Sequence, residues 1–278
     1  MKILNITINR WTGKLVIGIR RSAYLLLGTA DELFVKSNSL ITVISYHSVC
    51  DDDWRFSIDT KVVKKQIKYL LGKYNLITLN HLHGYLNGEV KITRPSVVLT
   101  FDDGYKDVLS LKNLFEKEKV KPALFLLSDS GKANYKELNT RREFLSKVDI
   151  KSLIKSGWEI GSHSSTHANL ANISSKHLQY EVIESKKKLE KDLGIPIRYF
   201  AYPRGKYTED VLNHVKKAGY DLALTMDDSV ISENTNPFKI PRVGVDRTHS
   251  FAEFKKLLSV LNVNLRALVK RSFIGGII

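Results

Sequence analysis

Two acidic residues and two histidines are the part of this sequence whose types and spacing could do chemistry. Asp102 and Asp103 directly follow the apolar run 96–101, and His163 and His167 come later, four positions apart. Adjacent residues that leave a strand point in different directions, so one carboxylate can bind a metal while the other faces a substrate. Histidines at this spacing on a helical turn face the same way and can chelate one ion. The set predicts metal-assisted hydrolysis, with one carboxylate left over as a general base.

Neither half of this set is specific by itself. Asp102 and Asp103 alone could be an acidic turn after a strand, and His163 and His167 alone could be ordinary polar side chains. The combination is far more informative, because one Asp and two His that leave positions open for water and substrate form a recurrent hydrolytic metal site. Gly104 supports this interpretation, since glycine permits a tight turn and a close approach of the backbone to a ligand.

The surrounding sequence predicts the scaffold that must position these residues. Short β-rich apolar runs alternate with amphipathic stretches of about ten residues, which is typical of parallel βα units. The candidate residues follow predicted strands, and parallel strands present their carboxyl ends at one edge. One edge can gather all of them only if the sheet curls, so the sequence predicts a barrel rather than an open, doubly wound sheet. The predicted strands are 40–46, 76–79, 96–101, 123–127, 158–162, 198–202, 220–225 and 242–245, and the clearest predicted helices are 61–71, 151–156, 174–193, 209–218 and 251–260.

Composition and charge narrow the classes of function. The chain has 278 residues, of which 43% are hydrophobic and 26% charged, as in a globular protein with a sizeable core. Its single cysteine, Cys50, excludes an internal disulfide. The formal charge of +15 favours anionic partners, but the basic residues are scattered without interleaved aromatic residues, so no nucleic-acid partner is expected. His81 and His83 are expected in a surface loop, away from any metal site.

Residues 1–39 are predicted to form an extension before the main domain. They contain two short apolar pieces, 15–19 and 23–27, separated by Arg20 and Arg21. Neither piece could span a bilayer, and no apolar segment precedes a small-residue cleavage site, so we expect a cytoplasmic protein or one at the cytoplasmic membrane face. Together the pieces could form an amphipathic helix. It would either pack on the domain, which is the favoured interpretation, or make peripheral contact with an anionic membrane surface.

The motifs resemble those of the polysaccharide deacetylase family, also called the NodB-homology family or carbohydrate esterase family 4. The sequence TFDDG at 100–104 matches the first motif of that family, and HSSTH at 163–167 matches the second. The segments YHSV at 46–49 and IPRVGV at 240–245 are also similar to family members that remodel glycans. The resemblance covers roughly 40–260, which we assign as a NodB-homology deacetylase domain, with 261–278 as a basic and apolar tail. It implies a distorted (β/α)7 barrel.

The resemblance also implies roles for the four residues of the opening paragraph. Asp103, His163 and His167 would bind a divalent metal, of which Zn²⁺ is the expected one. Asp102 would be the catalytic base that takes a proton from water, while the metal polarises that water and the acetyl carbonyl. An oxyanion would be stabilised by the metal and by a backbone N–H group, for which we expect that of Tyr202.

The third motif departs from the family pattern. It commonly begins with an arginine that pairs with the catalytic base, and Ala201 stands at that position here. Pro203 and Gly205 still match, and with Tyr202 they are expected at the substrate. Arg242, near a later strand, is our candidate to pair with the base instead.

The last two motifs of the family have no counterpart downstream. The tryptophan of the fourth motif is missing, and the region of Asp227 and Asp228 resembles it only loosely. No apolar strand that ends in a histidine follows Gly244, but 40–47 is such a strand near the start of the domain. His47 is therefore the candidate general acid. His249 is the second candidate, although an exposed loop is the simpler expectation for it.

The sequence thus predicts a metal-dependent deacetylase whose partner is an N-acetylated glycan: a polysaccharide, peptidoglycan or a lipid-linked glycan. Two alternatives stay open. The same fold could hydrolyse small non-peptide amides or imides, for which a capped pocket is expected rather than a shallow rim. The chain could also be a non-catalytic glycan-binding module, although a binding protein has no need of a free base such as Asp102.

Overall fold

A barrel of short parallel strands carries the predicted motifs. The computed structural model describes 10–34 and 40–271. Every pair of named strands in it runs parallel, and their order is β7-β6-β5-β4-β3-β1-β8, with β2 attached to β3 beside this path. The strands are β1 (Ile41–Tyr46), β2 (Asn75–Ile77), β3 (Ser96–Phe101), β4 (Ala123–Leu126), β5 (Glu159–Ser162), β6 (Tyr199–Ala201), β7 (Leu222–Leu224) and β8 (Arg242–Gly244).

The two ends of the sheet approach each other through the segment that enters β8. The N–H of Thr225, just after β7, donates to Ile240 O at 2.8 Å, and the N–H of Ile240 donates to Ala223 O at 2.9 Å. Because β8 then pairs with β1, the seven strands of the main path form a nearly closed ring. The predicted (β/α)7 barrel is confirmed.

The central strands are apolar runs that are buried from end to end. Every residue of β1 and of β3 is buried, and the two strands align in register from Ile41 opposite Ser96 to Tyr46 opposite Phe101. Parallel strands covered on both faces favour such continuous β-branched sequences over an alternation of polar and apolar residues.

Helices and short turns connect the strands. The helices are α1 (Arg10–Phe34), α2 (Thr60–Lys73), α3 (Leu79–Leu86), α4 (Lys112–Lys117), α5 (Tyr135–Leu138), α6 (Lys147–Lys155), α7 (Ser175–Leu178), α8 (Ser185–Leu193), α9 (Glu209–Lys217), α10 (Phe251–Leu257) and α11 (Val260–Arg271). A π-helical turn, Gln179–Glu184, joins α7 to α8, so the long helix predicted over 174–193 is continuous but not regular. Four 3₁₀ turns are Lys106–Leu111, Ser130–Lys132, Leu170–Asn172 and Pro203–Gly205.

Capping residues explain two differences from the predicted elements. The loop expected around His81 and His83 is helix α3, which begins where the Thr78 hydroxyl accepts the N–H of His81 at 3.2 Å. His81 is nonetheless exposed, as expected. Helix α6 starts four residues before its predicted position, because Ser146 and Asp149 form a capping box.

Contacts divide the chain into two units, Ser37–Arg247 and a helical unit made of Met1–Lys36 with Thr248–Ile278. Residues 248–260, which the sequence analysis placed with the barrel, therefore belong with the N-terminal helix. Inside the helical unit Arg20 pairs with the buried Glu253 at 3.1 Å, and the Asn262 side chain donates to Tyr24 O at 2.9 Å. His249 is 7% exposed and stacks on the Tyr24 ring, so the exposed loop position expected for it is wrong.

A helix that crosses a bilayer must be about 20 residues long and predominantly apolar. Among residues 10–34 and 40–271, no helix is both long enough and apolar enough to cross one.

Candidate active site

The carboxyl ends of the parallel strands gather the candidate side chains at one edge of the barrel. Asp102 and Asp103 follow β3, His163 follows β5, and His47 follows β1. Arg242 differs, because it is the first residue of β8 and reaches the edge with its long side chain. The curled sheet was predicted for this reason, and the structure brings these residues together.

Asp103, His163 and His167 form a cluster that could hold a metal ion. Asp103 Oδ1 lies 3.5 Å from His163 Nε2 and 3.5 Å from His167 Nε2. Three ligand atoms, one from each residue, lie within 4.8 Å of one another, and all three residues are buried. Among the residues that the structure describes, Asp103 Oδ1 has no hydrogen-bond partner, although a buried carboxylate oxygen normally has one. A cation between the three side chains would satisfy it.

Hydrogen bonding and burial determine the tautomer and the protonation state of these side chains. His163 Nδ1 donates to Ala201 O at 2.8 Å, which fixes the tautomer and leaves the Nε2 lone pair directed at Asp103. Burial lowers the pKa of His163 to about 3, so its imidazole is neutral at physiological pH. Burial raises the pKa of Asp103 to about 6. Two imidazoles and one carboxylate are a donor set that suits zinc and similar divalent ions.

The backbone at both motifs is left-handed at key positions. Asp103 has φ 70° and Gly104 has φ 77°, so the chain turns sharply after β3. A Cβ at position 104 would also lie 2.7 Å from Leu126 Cδ2, so the Leu126 side chain would have to shift. The turn aims the Asp103 carboxylate away from that of Asp102, as the sequence analysis expected from their adjacency.

The histidine motif does not form the helical turn that its spacing predicted. Residues 163–169 are irregular, with φ 70° at Ser164 and φ 62° at His167. The two histidines converge because the loop curls through these left-handed residues, and their ring centroids lie 5.1 Å apart. The expected convergence is therefore present, but the helical reason for it is wrong.

Asp102 makes a bidentate ion pair with Arg242. Arg242 Nη1 lies 2.7 Å from Asp102 Oδ1, and Nη2 lies 2.8 Å from Oδ2. Arg242 is fully buried, and its other donors bond to Thr225 O and the Thr100 hydroxyl. The pairing of Arg242 with Asp102 that was proposed from sequence is present.

The ion pair determines the charge of Asp102. Burial alone would raise the pKa of this carboxyl, but the Arg242 guanidinium overrides that effect and holds the pKa well below its usual range. Two adjacent carboxyls therefore have opposite shifts, with the pKa of Asp102 lowered and that of Asp103 raised. Asp102 stays ionised in the absence of a metal.

His47 lies beside both carboxyls at the end of β1. Its charge, when the ring is protonated, lowers the pKa of Asp102 and of Asp103. Its Nδ1 is buried and has no hydrogen-bond partner, and its ring lies 5.0 Å from that of Phe56. The structure thus brings one of the two candidate general acids to the site. The other, His249, belongs to the helical unit.

The third motif forms a tight turn beside β6, but one role predicted for it does not fit. The N–H of Tyr202 already donates to Leu224 O at 3.0 Å in the ladder between β6 and β7. That group is therefore not available to an oxyanion in this conformation. The Tyr202 hydroxyl donates to Phe238 O, and a Cβ at Gly205 would lie 2.6 Å from Met226 N. A role of Tyr202, Pro203 and Gly205 at the substrate stays a prediction.

The sequence analysis missed the polar residues that support the ion pair. The Ser45 hydroxyl donates to Asp102 Oδ2 at 3.3 Å, and Thr100 and Thr225 accept from Arg242 as described. Ser45 and Thr100 are polar residues inside otherwise apolar, buried strands. The polar residue in the penultimate position of each strand is the signal that could have identified them.

Comparison with known proteins agrees with this architecture. A family model described as polysaccharide deacetylase matches residues 89–223, which include Asp102, Asp103, His163 and His167. Over 220 residues the chain is 26% identical to the poly-beta-1,6-N-acetyl-D-glucosamine N-deacetylase of Staphylococcus aureus, a match that covers 75% of this chain and 74% of that protein.

Two solved structures share the fold. IcaB from Ammonifex degensii has a TM-score of 0.69 and 22% identity, over 81% of this chain and 98% of that one. The Streptococcus pyogenes deacetylase PplD, solved in complex with acetate, has a TM-score of 0.69 and 18% identity, over 81% of this chain and 99% of that one. The family model, the two motifs within its match and the barrel that carries them make this chain similar to polysaccharide deacetylases, which are hydrolases of carbon–nitrogen bonds other than peptide bonds.

Proposed function

We propose that this chain is a metal-dependent enzyme that removes N-acetyl groups from glucosamine residues of a glycan. One observation carries the proposal. A carboxylate held ionised by a buried arginine, Asp102, lies directly beside a buried cluster of one Asp and two His. A metal site and a separate base are the two requirements of metal-assisted amide hydrolysis.

Asp103, His163 and His167 would hold the metal. When bound there, a divalent ion such as Zn²⁺ would polarise the acetyl carbonyl and lower the pKa of a water molecule. Asp103 would bind it as a carboxylate, so metal binding would displace the proton that the metal-free site holds below pH of about 6. Both imidazoles would bind through Nε2, since Nε2 of each faces Asp103.

Asp102 and His47 would move the protons of the reaction. The Asp102 carboxylate accepts a proton from water as the water oxygen bonds to the acetyl carbon. The carbon–nitrogen bond then breaks while His47 protonates the departing nitrogen, and the products are acetate and a free amine. Arg242 keeps Asp102 ionised and fixes its orientation through two hydrogen bonds.

The glycan substrate is supported by the Staphylococcus aureus relative, which is named for poly-beta-1,6-N-acetyl-D-glucosamine. Aromatic side chains also lie next to His47: the Phe56 ring is 37% exposed, and the Trp54 ring lies 5.4 Å from it. Exposed aromatic faces suit the apolar faces of sugar rings.

The test is acetate release from purified protein that has been stripped of metal and reloaded with defined ions. Substrates are β-1,6- and β-1,4-linked oligomers of N-acetylglucosamine, with small amides and imides as the alternative class. Acetate release from an oligomer that requires a metal and disappears in Asp102→Asn would support the proposal. Turnover of the small amides alone would favour the alternative substrate class. A protein that binds glycan without turnover under any metal would be a binding module.

We also propose that helix α1 makes peripheral contact with an anionic lipid surface. Ile19, Leu26 and Leu33 lie seven residues apart, on one side of the helix, and are 62%, 73% and 67% exposed. The opposite side packs inside the helical unit through Tyr24, which is 3% exposed. That unit contains eleven Lys and Arg against three Asp and Glu, a balance that favours anionic headgroups.

Sedimentation with vesicles tests this contact. We expect the protein to sediment with phosphatidylglycerol vesicles, and to do so less with neutral phosphatidylcholine vesicles. Leu26→Glu should abolish the binding. Val148→Glu is the matched control, because Val148 is 78% exposed on α6 in the barrel. Equal sedimentation of the wild type and Leu26→Glu would contradict the proposal.

A further inference from the structure

The loop that carries both metal-ligand histidines is bound by a buried glutamate on the π-helical turn. Glu181 is 5% exposed, and its Oε2 accepts the N–H groups of Ser165 and Thr166, both at 2.9 Å. Its Oε1 accepts the Thr166 hydroxyl at 2.6 Å. All the hydrogen bonds that the described structure gives the Glu181 side chain therefore go to residues between His163 and His167.

The rest of the loop backbone is held from the other side, by the segment after β4. The N–H groups of residues 128, 129 and 134 donate to the carbonyls of Ser164, Ser165 and Thr166, at 3.1, 2.9 and 2.7 Å. The His167 N–H donates to the Ser164 hydroxyl at 3.1 Å. Glu181 thus supplies the only acceptors recorded in the described structure for the N–H groups of Ser165 and Thr166, while the carbonyls bond elsewhere.

The loop needs such support because its conformation is unfavourable. Ser164 and His167 both have left-handed φ angles, 70° and 62°. Non-glycine residues in that region cost free energy and persist only where the surrounding structure holds them. These two residues lie directly before and after Ser165 and Thr166, the segment that Glu181 binds. Without the carboxylate, the buried N–H of Ser165 and the partly buried N–H of Thr166 would lose their acceptors, and the backbone could relax toward ordinary φ values.

The π-helical turn explains how a helix residue reaches the loop. In Gln179–Glu184 the carbonyl groups of Tyr180 and Val182 accept hydrogen bonds from outside the helix, from the hydroxyls of Ser165 and Tyr220 at 2.9 and 3.1 Å. A wide π turn is uncommon, and in proteins it is found mostly at functional sites. Here it presents the Glu181 carboxylate and the Tyr180 carbonyl to the same loop.

We propose that Glu181 is a positioning residue for the metal site, which holds His163 and His167 at their mutual distance without touching the ion. The inference rests on the proposed function, because it assumes that these histidines bind a metal. It predicts that Glu181 affects metal affinity and coordination geometry directly, before any substrate is present. Residues that orient metal ligands in this way typically change affinity about 10- to 100-fold when removed.

The experiment measures metal affinity without substrate. Wild type, Glu181→Ala and Glu181→Gln are titrated with Zn²⁺ against a chromophoric chelator, and the visible spectrum of the Co²⁺ forms reports coordination geometry. We expect Glu181→Ala to bind Zn²⁺ about 10- to 100-fold more weakly, with an altered Co²⁺ spectrum. Glu181→Gln keeps the shape and one good acceptor, so it should lose affinity by a smaller factor. The control is Glu184→Ala, because Glu184 ends the same turn and pairs with Lys187 outside the loop.

The outcomes separate this inference from the proposed function. Wild-type protein that binds no metal would overturn both. Wild-type binding together with affinities within about twofold for both Glu181 variants would overturn the inference alone. If Glu181→Ala fails to fold, as near-ultraviolet circular dichroism of the metal-free protein would show, Glu181→Gln decides the question. A loss of affinity in Glu184→Ala equal to that in Glu181→Ala would also overturn it, since the effect would then belong to the helix.

Discussion

Two regions of this chain bury a carboxylate against an arginine. At the edge of the barrel Arg242 holds Asp102 with two hydrogen bonds of 2.7 and 2.8 Å, and Arg242 is fully buried. In the helical unit Arg20 contacts Glu253 with two hydrogen bonds of 3.2 and 3.1 Å, and the Glu253 side chain is fully buried. In both pairs the neighbouring donors lower the pKa of the carboxyl.

The surroundings of the two pairs differ. Asp102 adjoins Asp103, whose Oδ1 has no hydrogen-bond partner and faces two imidazoles. Glu253 instead completes a capping box with Ser250 at the start of α10, so its oxygens are used to begin a helix. A buried ion pair is therefore no sign of catalysis by itself. What distinguishes the barrel pair is the adjacent set of one carboxylate and two imidazoles that could hold a metal ion.

The largest expected effect comes from neutralising one carboxylate in each region. Asp102→Asn keeps the size of the side chain but cannot accept a proton, so we expect kcat for acetate release to fall about 10³-fold. Glu253→Gln should leave kcat unchanged. Acetate assays on both variants, with circular dichroism to check folding, make the measurement. A Glu253→Gln variant as inactive as Asp102→Asn would remove the distinction between the regions.

Replacing each arginine tests how much each ion pair contributes to the free energy of unfolding. Arg242→Met leaves Asp102 buried without a counter-charge and should destabilise the barrel by roughly 3–5 kcal/mol. It should also raise the pH of the acid limb of the rate profile, because the pKa of Asp102 would rise. Arg20→Met should cost roughly 1–3 kcal/mol, because Glu253 keeps the hydroxyl and N–H of Ser250. Denaturant unfolding measures the loss of stability in both variants. Equal losses would contradict the difference expected between the two ion pairs.

Each region contains one of the two candidate general acids, so the His249 variant is a control for the His47 variant. His47→Ala should lower kcat about 10²-fold, since the departing nitrogen would have to be protonated by water. His249→Ala should leave kcat unchanged and affect only the helical unit, where the His249 ring stacks on Tyr24. Full activity in His47→Ala would withdraw its assignment as the general acid.

The smallest expected effect is a difference in pH dependence between the regions of the metal-free protein. The pKa of Asp103 is raised to about 6, so its contribution to barrel stability is greatest at low pH and is lost as pH rises through 6. The pKa of Glu253 is lowered, because the donors of Ser250 and Arg20 outweigh the effect of burial. Its contribution is complete above the ordinary value of 4.5 and is lost as pH falls below it.

Hydrogen exchange resolved by peptide and corrected for intrinsic rates can follow both regions at once. Between pH of about 6 and 4 the barrel should become more protected, whereas the helical unit should lose protection below about 4.5. Asp103→Asn and Glu253→Gln are the controls that should flatten each trend separately. Parallel trends in the two regions would show that the two carboxyls do not control them.

The sequence was sufficient for features that depend on local pattern or on strand direction. The apolar runs of β1 and β3, the turn at Asp102 and Asp103, and the clustering of strand ends all follow from burial and parallel pairing. The pairing of Arg242 with Asp102 was expected from the family resemblance, because the third motif carries an arginine for the base and Ala201 stands at that position. Catalytic roles for these residues remain predictions.

Features that depend on distant contacts could not be predicted. Left-handed residues at Ser164 and His167 are stabilised by Glu181, a residue from another element, so spacing alone suggested a helical turn. Whether the Tyr202 N–H is free depends on its pairing with Leu224 in β7. The grouping of 248–271 with α1 depends on contacts across more than two hundred residues, such as that of Arg20 with Glu253.

The hydrogen bonds of Arg242 join both sides of the ring. Its Nε bonds to Thr225 O just after β7, and its Nη atoms bond to Thr100 and Asp102 at the end of β3. A barrel that opened between β7 and β8 would separate Arg242 Nε from Thr225 O, whereas Asp102 would stay on the same side as Arg242 because β1 pairs with both β8 and β3. Closure of the ring would therefore fix the orientation of the guanidinium that pairs with Asp102, through the bond from Arg242 Nε to Thr225 O. Natural variation near this seam should accordingly be judged by assembly and turnover together.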